Sequence, residues 1–410
     1  MTRGRLLTAS VAIAFAGLWS AAAYFLWDST IVPGNLHAPT LAARAFFTPH
    51  EIARASRYDR FEEINWVLSQ CVLLVVFAVY ARRGASFARE SAAGRIGTGM
   101  LLGMLAFALV WLAELPFGLA DLWWQRRHDI SRIGYVAWVV DSWLSLGGEF
   151  LFICLAIVIV MGLARPLPRR WWIIGGPIFV GLALLFAFVQ PWLTPGLHRL
   201  RDPELVASAQ RLERAEHVKG TPVDVEDVRE LTSAPNSEAA GFGPSRRVIV
   251  WDTLLDGRFS DREIRFVLAH EFGHLARRHI PKLIGWYALF ALPGAFLIAA
   301  AVRGRGGMRN SEAVPLALFV LVVLQLLAQP LQAAISRHIE AEADWMALRT
   351  THDARSGVAL FRHLTTTTLS EPNPATWEYL LLEDHPTPMQ RIAMVKAWQA
   401  RYATSVAQSP

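Results

Sequence analysis

The chain has 410 residues, of which 53% are hydrophobic and only 18% are charged. A soluble globular protein carries about 25% charged residues, so this composition disfavours a soluble enzyme, a disordered chain and a nucleic-acid-binding module. The net charge of +6 is better explained by basic loops beside membrane segments, and we expect no nucleic-acid partner.

Seven apolar stretches are long enough, or nearly so, to cross a bilayer as helices. They cover residues 6–27, 64–81, 96–120, 143–164, 171–193, 283–302 and 314–335. The first stretch follows Arg3 and Arg5 and could instead be a cleaved signal peptide. It is longer than the apolar core of such signals, so we expect a retained helix.

Three acidic residues, Glu114, Asp141 and Glu149, lie in or beside these stretches. A charge that faces lipid is costly, so we expect these side chains to face a water-filled cavity or a partner. For Glu114 and Asp141 a position at the membrane interface is an equal alternative. Glu149 lies deeper and is the better marker of a cavity.

The strongest chemical signal is the H-E-x-x-H motif at residues 270–274. It is expected by chance only about 0.02 times in a chain of this composition. Ser260 and Glu263 upstream fit a capping box, apolar residues then recur at helical spacing, and Pro281 stops the pattern. The motif is therefore predicted to lie on a helix.

On such a helix His270 and His274 lie one turn apart, and both imidazoles can reach one zinc ion. Glu271 is adjacent to the open side of that site, where it can take a proton from water. A catalytic zinc site needs a third protein ligand and leaves its fourth position open.

The candidate for the third ligand lies in S-R-H-I-E-A-E-A-D at residues 336–344. Helical periodicity places Glu340 and Asp344 one turn apart, so Glu340 can bind the metal while Asp344 accepts an N–H from a ligating histidine. Glu342 falls on the opposite face and is expected to be solvated. The alternative is an ordinary acidic helix face after a membrane span.

Together the two motifs resemble those of the M48 family of membrane zinc peptidases, and more narrowly those of the Ste24 type, the CAAX prenyl protease 1 family. Three shorter elements carry the narrower resemblance: Leu115-Pro116-Phe117, Gln329-Pro330-Leu331, and His385-Pro386 with Arg391-Ile392. Seven spans also match the Ste24 type, whereas the HtpX type has fewer.

The resemblance implies that His270, His274 and Glu340 bind one Zn²⁺ ion per chain. It implies that Glu271 is the general base and that Asp344 supports a metal-binding histidine from outside the ligand set.

The resemblance further implies that His385 and Arg391 lie near the substrate and steady the developing oxyanion, which makes both candidate catalytic residues. A turn histidine and a surface charge are the alternatives for these two. Asn236 and Ser237 resemble the start of the family's substrate-aligning edge strand, although the family favours Asn-Ala there. An exposed edge could bind an extended peptide through main-chain hydrogen bonds.

The expected fold is an all-α polytopic membrane protein. About seven transmembrane helices enclose a chamber, and a mainly helical zinc-peptidase domain carries a small β element. Residues 1–193 hold five transmembrane helices, and residues 194–282 the peptidase region with the H-E-x-x-H helix. Residues 283–335 hold two further transmembrane helices, and residues 336–410 the third ligand and the substrate-site residues.

The predicted function is an integral membrane zinc metalloendopeptidase. Its expected partners are the lipid bilayer and a peptide or protein substrate, for which a membrane-associated or prenylated protein is a candidate. One alternative is an HtpX-like protease for membrane-protein quality control. Another is a receptor or transporter-like protein with a vestigial zinc site, and a third is a polytopic protein without a metal.

The predicted location is a multi-pass position in a bacterial plasma membrane, since Arg strongly outnumbers Lys as in proteins from GC-rich genomes. The family resemblance places the active site on the cytoplasmic side. Lys and Arg in the short loops favour the opposite orientation, because the more basic loops lie across the membrane from the two polar regions.

Overall fold

The computed structural model describes residues 3–88 and 93–407. Its long helices are α1 (Arg3–Asp28), α2 (Pro49–Arg83), α3 (Gly94–Arg127), α4 (Tyr135–Ala164), α5 (Trp171–Leu193), α8 (His279–Ala301) and α9 (Val314–Thr351). The shorter helices are α6 (Pro203–Ala215), α7 (Asp261–Ala276), α10 (Ala354–Thr368), α11 (Thr376–Leu381) and α12 (Pro388–Ala407).

Six helices in the described ranges are long and apolar enough to cross a membrane. Helices α2 to α5 each contain one, and the other two segments are His279–Arg305 and Ser311–Thr351. These six correspond to the last six predicted stretches. The remaining predicted stretch, residues 6–27, lies within α1. The expected fold class is confirmed, with "about seven" spans as an approximation.

Between α2, α3 and α4 lies a cavity of about 380 Å³. Glu62, Glu114 and Asp121 line its wall, and the Ser69 hydroxyl donates a hydrogen bond to Glu114. Glu114 therefore faces a cavity, as expected for a carboxyl group in an apolar helix. Glu149, expected to mark the cavity best, is an exposed side chain of α4 and does not line it.

A four-stranded sheet lies between α5 and α7 in the sequence. Its strands are β1 (His198–Arg199), β2 (Val223–Glu226), β3 (Ser237–Ala240) and β4 (Arg247–Trp251), in the spatial order β1-β2-β4-β3. β2 and β4 are parallel, and the other pairs are antiparallel. β3 therefore forms one edge of this sheet, next to α7.

Helix α7 begins as the sequence predicts. Ser260 and Glu263 form the capping box, with the Ser260 backbone N–H donating to Glu263 and the Glu263 backbone N–H to Ser260. The predicted end of the helix is wrong. α7 ends at Ala276, Arg278 has a left-handed backbone (φ 54°), and a new helix begins at His279. Pro281 lies in the first turn of α8, where the missing N–H costs nothing.

Helix α9 joins the membrane to the peptidase region, because it runs without interruption from Val314 to Thr351. The division proposed between residues 335 and 336 falls inside this helix. Its C-terminal half packs on α7, and Trp345, Ala347 and Leu348 join the buried core formed with α7, α10 and α12. The core of the peptidase region thus holds the two motif-bearing helices side by side.

Candidate metal centre and active site

His270, His274 and Glu340 converge in the structure. Nε2 of His270 lies 3.0 Å from Nε2 of His274. The Glu340 carboxylate lies 3.2 Å from Nε2 of His270 through Oε2 and 3.5 Å from Nε2 of His274 through Oε1. These three side chains form a group that could hold a metal ion. Two pieces of chain on either side of a pair of membrane spans therefore meet at one point.

The hydrogen bonds around this group direct lone pairs of His270 and Glu340 toward the point where a cation would bind. Asp344 accepts hydrogen bonds from Nε and Nη2 of Arg391, at 2.8 and 2.7 Å, which marks it as an ionised acceptor. Nδ1 of His270, 2.9 Å from Asp344, must then donate, and the lone pair of a neutral His270 is on Nε2. Oε2 of Glu340 is buried without a hydrogen bond of good geometry. Electron-pair donors that face each other in this way fit a divalent cation.

The pKa of His270 shows how strongly the site favours positive charge. Burial lowers this pKa, but the hydrogen bond to Asp344 and the adjacent Glu340 carboxylate more than offset that effect and raise it to about 10. A proton and a metal ion compete for the same ring, so metal binding releases the proton.

The candidate base Glu271 is buried beside the metal site, with 5% of its surface exposed. The Ser237 hydroxyl donates a hydrogen bond of 2.6 Å to Oε1 of Glu271. Ser237 is the predicted substrate-binding residue, and its hydroxyl contacts the candidate base directly. Its backbone, at the start of the edge strand β3, pairs with Val250 of β4.

A cavity of about 110 Å³ brings the remaining predicted residues together. It is lined by Asn236, His385 and Arg391 as well as by Ser237, His270 and Glu271, and its other walls are apolar side chains of α7 and α10 together with Pro235 and Leu254. The backbone oxygen of Asn236 accepts from the Trp251 backbone N–H, so it continues the strand pairing toward the site.

His385 lies between two carboxylates. Its Nε2 is 3.2 Å from Oε2 of Glu340, and its Nδ1 is 2.7 Å from Oδ1 of Asp384. Burial lowers the pKa of His385, but these contacts outweigh burial and raise it to about 9. The raised pKa favours the imidazolium form, in which both ring nitrogens are hydrogen-bond donors.

Arg391, predicted to lie near the substrate, also contacts Asp344. Two of its guanidinium nitrogens bind Asp344, and the group lies 4.2 Å from the centre of the Phe361 ring. Arg391 thus holds the carboxylate that holds His270, in addition to lining the cavity.

Sequence reasoning missed two residues near the site. The prediction that Glu342 is solvated was wrong, because its side chain is 1% exposed and binds His279 and Arg277. Buried Arg337 donates to the backbone oxygens of Tyr379 and Glu383, which anchors the segment that leads to His385. The position of Arg337 inside the 336–344 motif was the sequence feature that could have indicated its role.

Comparison with known proteins agrees with this geometry. Residues 199–399 match the model of peptidase family M48. The chain is 25% identical over 403 residues to the metalloprotease YhfN of Bacillus subtilis, with 94% of each chain covered. It is 27% identical over 256 residues to CAAX prenyl protease 1 of Saccharomyces cerevisiae, covering 59% of this chain and 51% of the yeast protein. A protease HtpX homologue of Kineococcus radiotolerans is 28% identical over 307 residues, which covers 67% of this chain and 98% of that protein.

The crystal structure of S. mikatae Ste24p superposes with a TM-score of 0.74 at 18% identity, covering 96% of this chain and 99% of the other. Fold and site together define an integral membrane metallopeptidase. The chain carries a peptidase M48 domain at residues 199–399, and its fold is of the Ste24 type.

Proposed function

We propose that this protein is a zinc endopeptidase that cleaves peptide bonds of membrane-associated proteins. The observation that carries the proposal is the convergence of His270, His274 and Glu340 directly beside the buried carboxylate of Glu271. Two imidazoles and one carboxylate are the ligand set of many catalytic zinc sites, and they leave one position open.

When bound, zinc would polarise the scissile carbonyl and lower the pKa of water toward about 7. Glu271 accepts a proton from the attacking water and passes it to the leaving amine, because both events occur on its side of the site. Ser237 holds the Glu271 carboxylate in position through its hydroxyl. The His385 imidazolium donates a hydrogen bond to the developing oxyanion, the kind of contact that is worth about 2.7–4 kcal/mol.

The edge strand supports a mode of substrate binding. β3 is paired with β4 on one side only, and Asn236 and Ser237 lead it past Glu271. An extended peptide that adds to the free edge would be held by main-chain hydrogen bonds, with its scissile bond beside the metal site. Binding of this kind recognises the main chain of the substrate more than its side chains. It therefore suits an enzyme that cleaves varied proteins.

The finer identity of the substrate also belongs to this proposal. The similarity to CAAX prenyl protease 1 makes a prenylated protein one candidate substrate. In a bacterium such substrates are not expected, and we therefore favour a role in membrane-protein quality control. We place the enzyme in a bacterial plasma membrane with its active site on the cytoplasmic side. Reporter fusions to the C-terminus, which follows α12, test this orientation against the opposite one favoured by the short loops.

Replacement of Glu271 by Gln tests the reaction. Glu271→Gln should keep one zinc ion per chain and lose peptide hydrolysis by about 10²- to 10⁴-fold, because the ligands remain and the base is gone. Glu340→Ala should lose zinc as well. Purified protein in detergent is assayed for metal content and for cleavage of an unstructured fluorogenic peptide.

Turnover by Glu271→Gln equal to that of the unmodified enzyme would show that the assigned mechanism is wrong. Zinc without hydrolysis of any peptide in the unmodified protein would favour the receptor or transporter alternative. Proteomic comparison of membrane peptides in cells carrying either form identifies the natural substrates.

A further inference from the structure

Glu342 is a buried carboxylate with an unusual number of donors. It accepts hydrogen bonds from Nε of Arg277 at 2.5 Å, Nζ of Lys282 at 3.2 Å and Nε2 of His279 at 3.0 Å. The backbone N–H of Ile31 donates to the same carboxylate at 3.2 Å. Such a group is ionised and can only accept, so each of these partners must donate.

His279 joins this carboxylate to a metal ligand. Its other nitrogen, Nδ1, lies 2.9 Å from Nδ1 of His274. Only one of two nitrogens at that distance can carry the shared proton. Arg277 and Lys282 already bring two positive charges to Glu342, so a third charge on His279 is disfavoured. A neutral His279 donates through Nε2 to Glu342 and accepts at Nδ1 from His274.

This assignment determines the proton on His274. Because its Nδ1 donates to His279, its lone pair is on Nε2, the nitrogen that faces His270 and Glu340. The arrangement repeats on the other ligand, where Asp344 accepts from Nδ1 of His270. Both imidazoles thus present a lone pair to the metal site.

We propose that His279 and Glu342 form a positioning pair for the metal ligand His274, which fixes its tautomer and ring orientation for zinc. The proposal rests on the proposed function, since it concerns the same metal site. His279 and Glu342 are positioning residues rather than catalytic ones, because they act on the metal through His274. Outer partners of this kind typically change metal affinity by 10- to 100-fold.

The left-handed turn at Arg278 makes this contact possible. In an unbroken helix a residue five positions after His274 would point away from it. The break between α7 and α8 turns the chain back, and His279 becomes the first residue of α8, with 1% of its surface exposed.

The same carboxylate ties the metal site to the segment after α1. The backbone oxygen of Ser29 accepts from Nη2 of Arg277 at 2.7 Å, while Ile31 donates to Glu342. Residues 29–31 therefore cover the side of the pair that faces away from the metal.

Zinc release tests the positioning pair without relying on turnover. Zinc-loaded full-length protein is mixed with an excess of a chromogenic chelator, and the release rate is followed. His279→Leu should release zinc roughly 10- to 100-fold faster than wild type. His279→Asn should stay close to wild type, because its side-chain oxygen occupies the place of Nδ1. His338→Leu is the matched control. His338 lies on α9 like Glu340, and its Nε2 contacts the backbone oxygen of Trp27 in α1 rather than His274.

If His279→Leu does not fold, His279→Gln is compared with His279→Asn. The amide of Gln reaches the place of Nε2, so His279→Gln keeps the contact with Glu342 and loses the one with His274. Faster release from the Gln variant than from the Asn variant is the expected result. Equal release rates in folded variants, or wild-type release from His279→Leu, would overturn the inference. Failure of the wild-type protein to bind zinc would instead refute the proposed function.

Discussion

The hydroxyl of Ser237 and the carboxylate of Glu271 are joined by a hydrogen bond of 2.6 Å. Ser237 is the first residue of the edge strand β3, and Glu271 follows the metal ligand His270 on α7. The strand proposed to align the substrate is thus linked directly to the group proposed to activate water. A movement of β3 on substrate binding would therefore change the position of the Glu271 carboxylate.

Removal of this hydroxyl should affect turnover more than binding. Ser237→Ala should lower kcat by roughly 2- to 10-fold, because a hydrogen bond of this type contributes about 0.5–1.5 kcal/mol. KM and zinc content should stay unchanged, and Ser237→Thr should restore kcat. Steady-state kinetics with a fluorogenic peptide measures the effect. A rise in KM at constant kcat would instead assign Ser237 to substrate binding.

Arg391 should contribute to stability through Asp344. Arg391→Ala leaves the Asp344 carboxylate, 2% exposed, without its bidentate partner, and the expected loss is about 3–5 kcal/mol. The double variant Arg391→Ala with Asp344→Asn should be less destabilised than Arg391→Ala alone, because the buried charge is then absent. Thermal unfolding in detergent, analysed as a double-mutant cycle, measures this coupling. Strictly additive effects would show that the two side chains do not interact.

The alkaline limit of activity should depend on Asp384. The pKa of His385 is about 9, because hydrogen bonds to Asp384 and Glu340 outweigh the lowering effect of burial. A rate that needs the imidazolium is constant below this pKa and falls above it. Asp384→Asn removes one contact that raises the pKa, so the decline should begin at lower pH.

The shift should be roughly half a unit to one unit, since Asp384 is 72% exposed and solvent screens its charge. The dependence of kcat on pH between 7 and 10 is the measurement. An alkaline limit that stays in place in both Asp384→Asn and His385→Gln would assign it to another group.

Glu216 should make the fold less stable at alkaline pH. Burial raises the pKa of this carboxyl to about 8, against smaller lowering effects of Thr350 and His270. Between the unfolded value near 4.5 and about 8, the folded state holds a proton that the unfolded state has released. Stability therefore falls as pH rises through this window.

Glu216→Gln should raise the thermal midpoint at pH 8 to 9 and change it little at pH 5. The exposed Glu230, replaced by Gln, is the control and should leave the pH dependence unaltered. A parallel pH dependence in wild type and Glu216→Gln would mean that another group dominates this window.

Local periodicity was enough to predict the helix with the H-E-x-x-H motif and its Ser260 cap. It also predicted that Glu340 and Asp344 share one helix face, and in the structure Glu340 lies against both histidines while Asp344 contacts His270. These signals lie within a few residues of each other, where helical geometry dictates position. The seven apolar stretches could also be found from the sequence, because each is a continuous run of mostly apolar residues.

Contacts that depend on a chain break or on distant packing could not be predicted. In an unbroken helix His279 would point away from His274, and Glu342 would lie on a face open to solvent. The left-handed residue Arg278 and the segment near Ile31 change both assignments. Likewise, depth along a helix suggested Glu149 as the cavity residue, whereas the packing of α2, α3 and α4 selects Glu114.

Helix α9 is 38 residues long, so it extends about 57 Å at 1.5 Å per residue. It carries a membrane-crossing segment and the Glu340 carboxylate on the same continuous rod. A fragment released from the bilayer by cutting this rod would leave either the anchor or the third ligand behind.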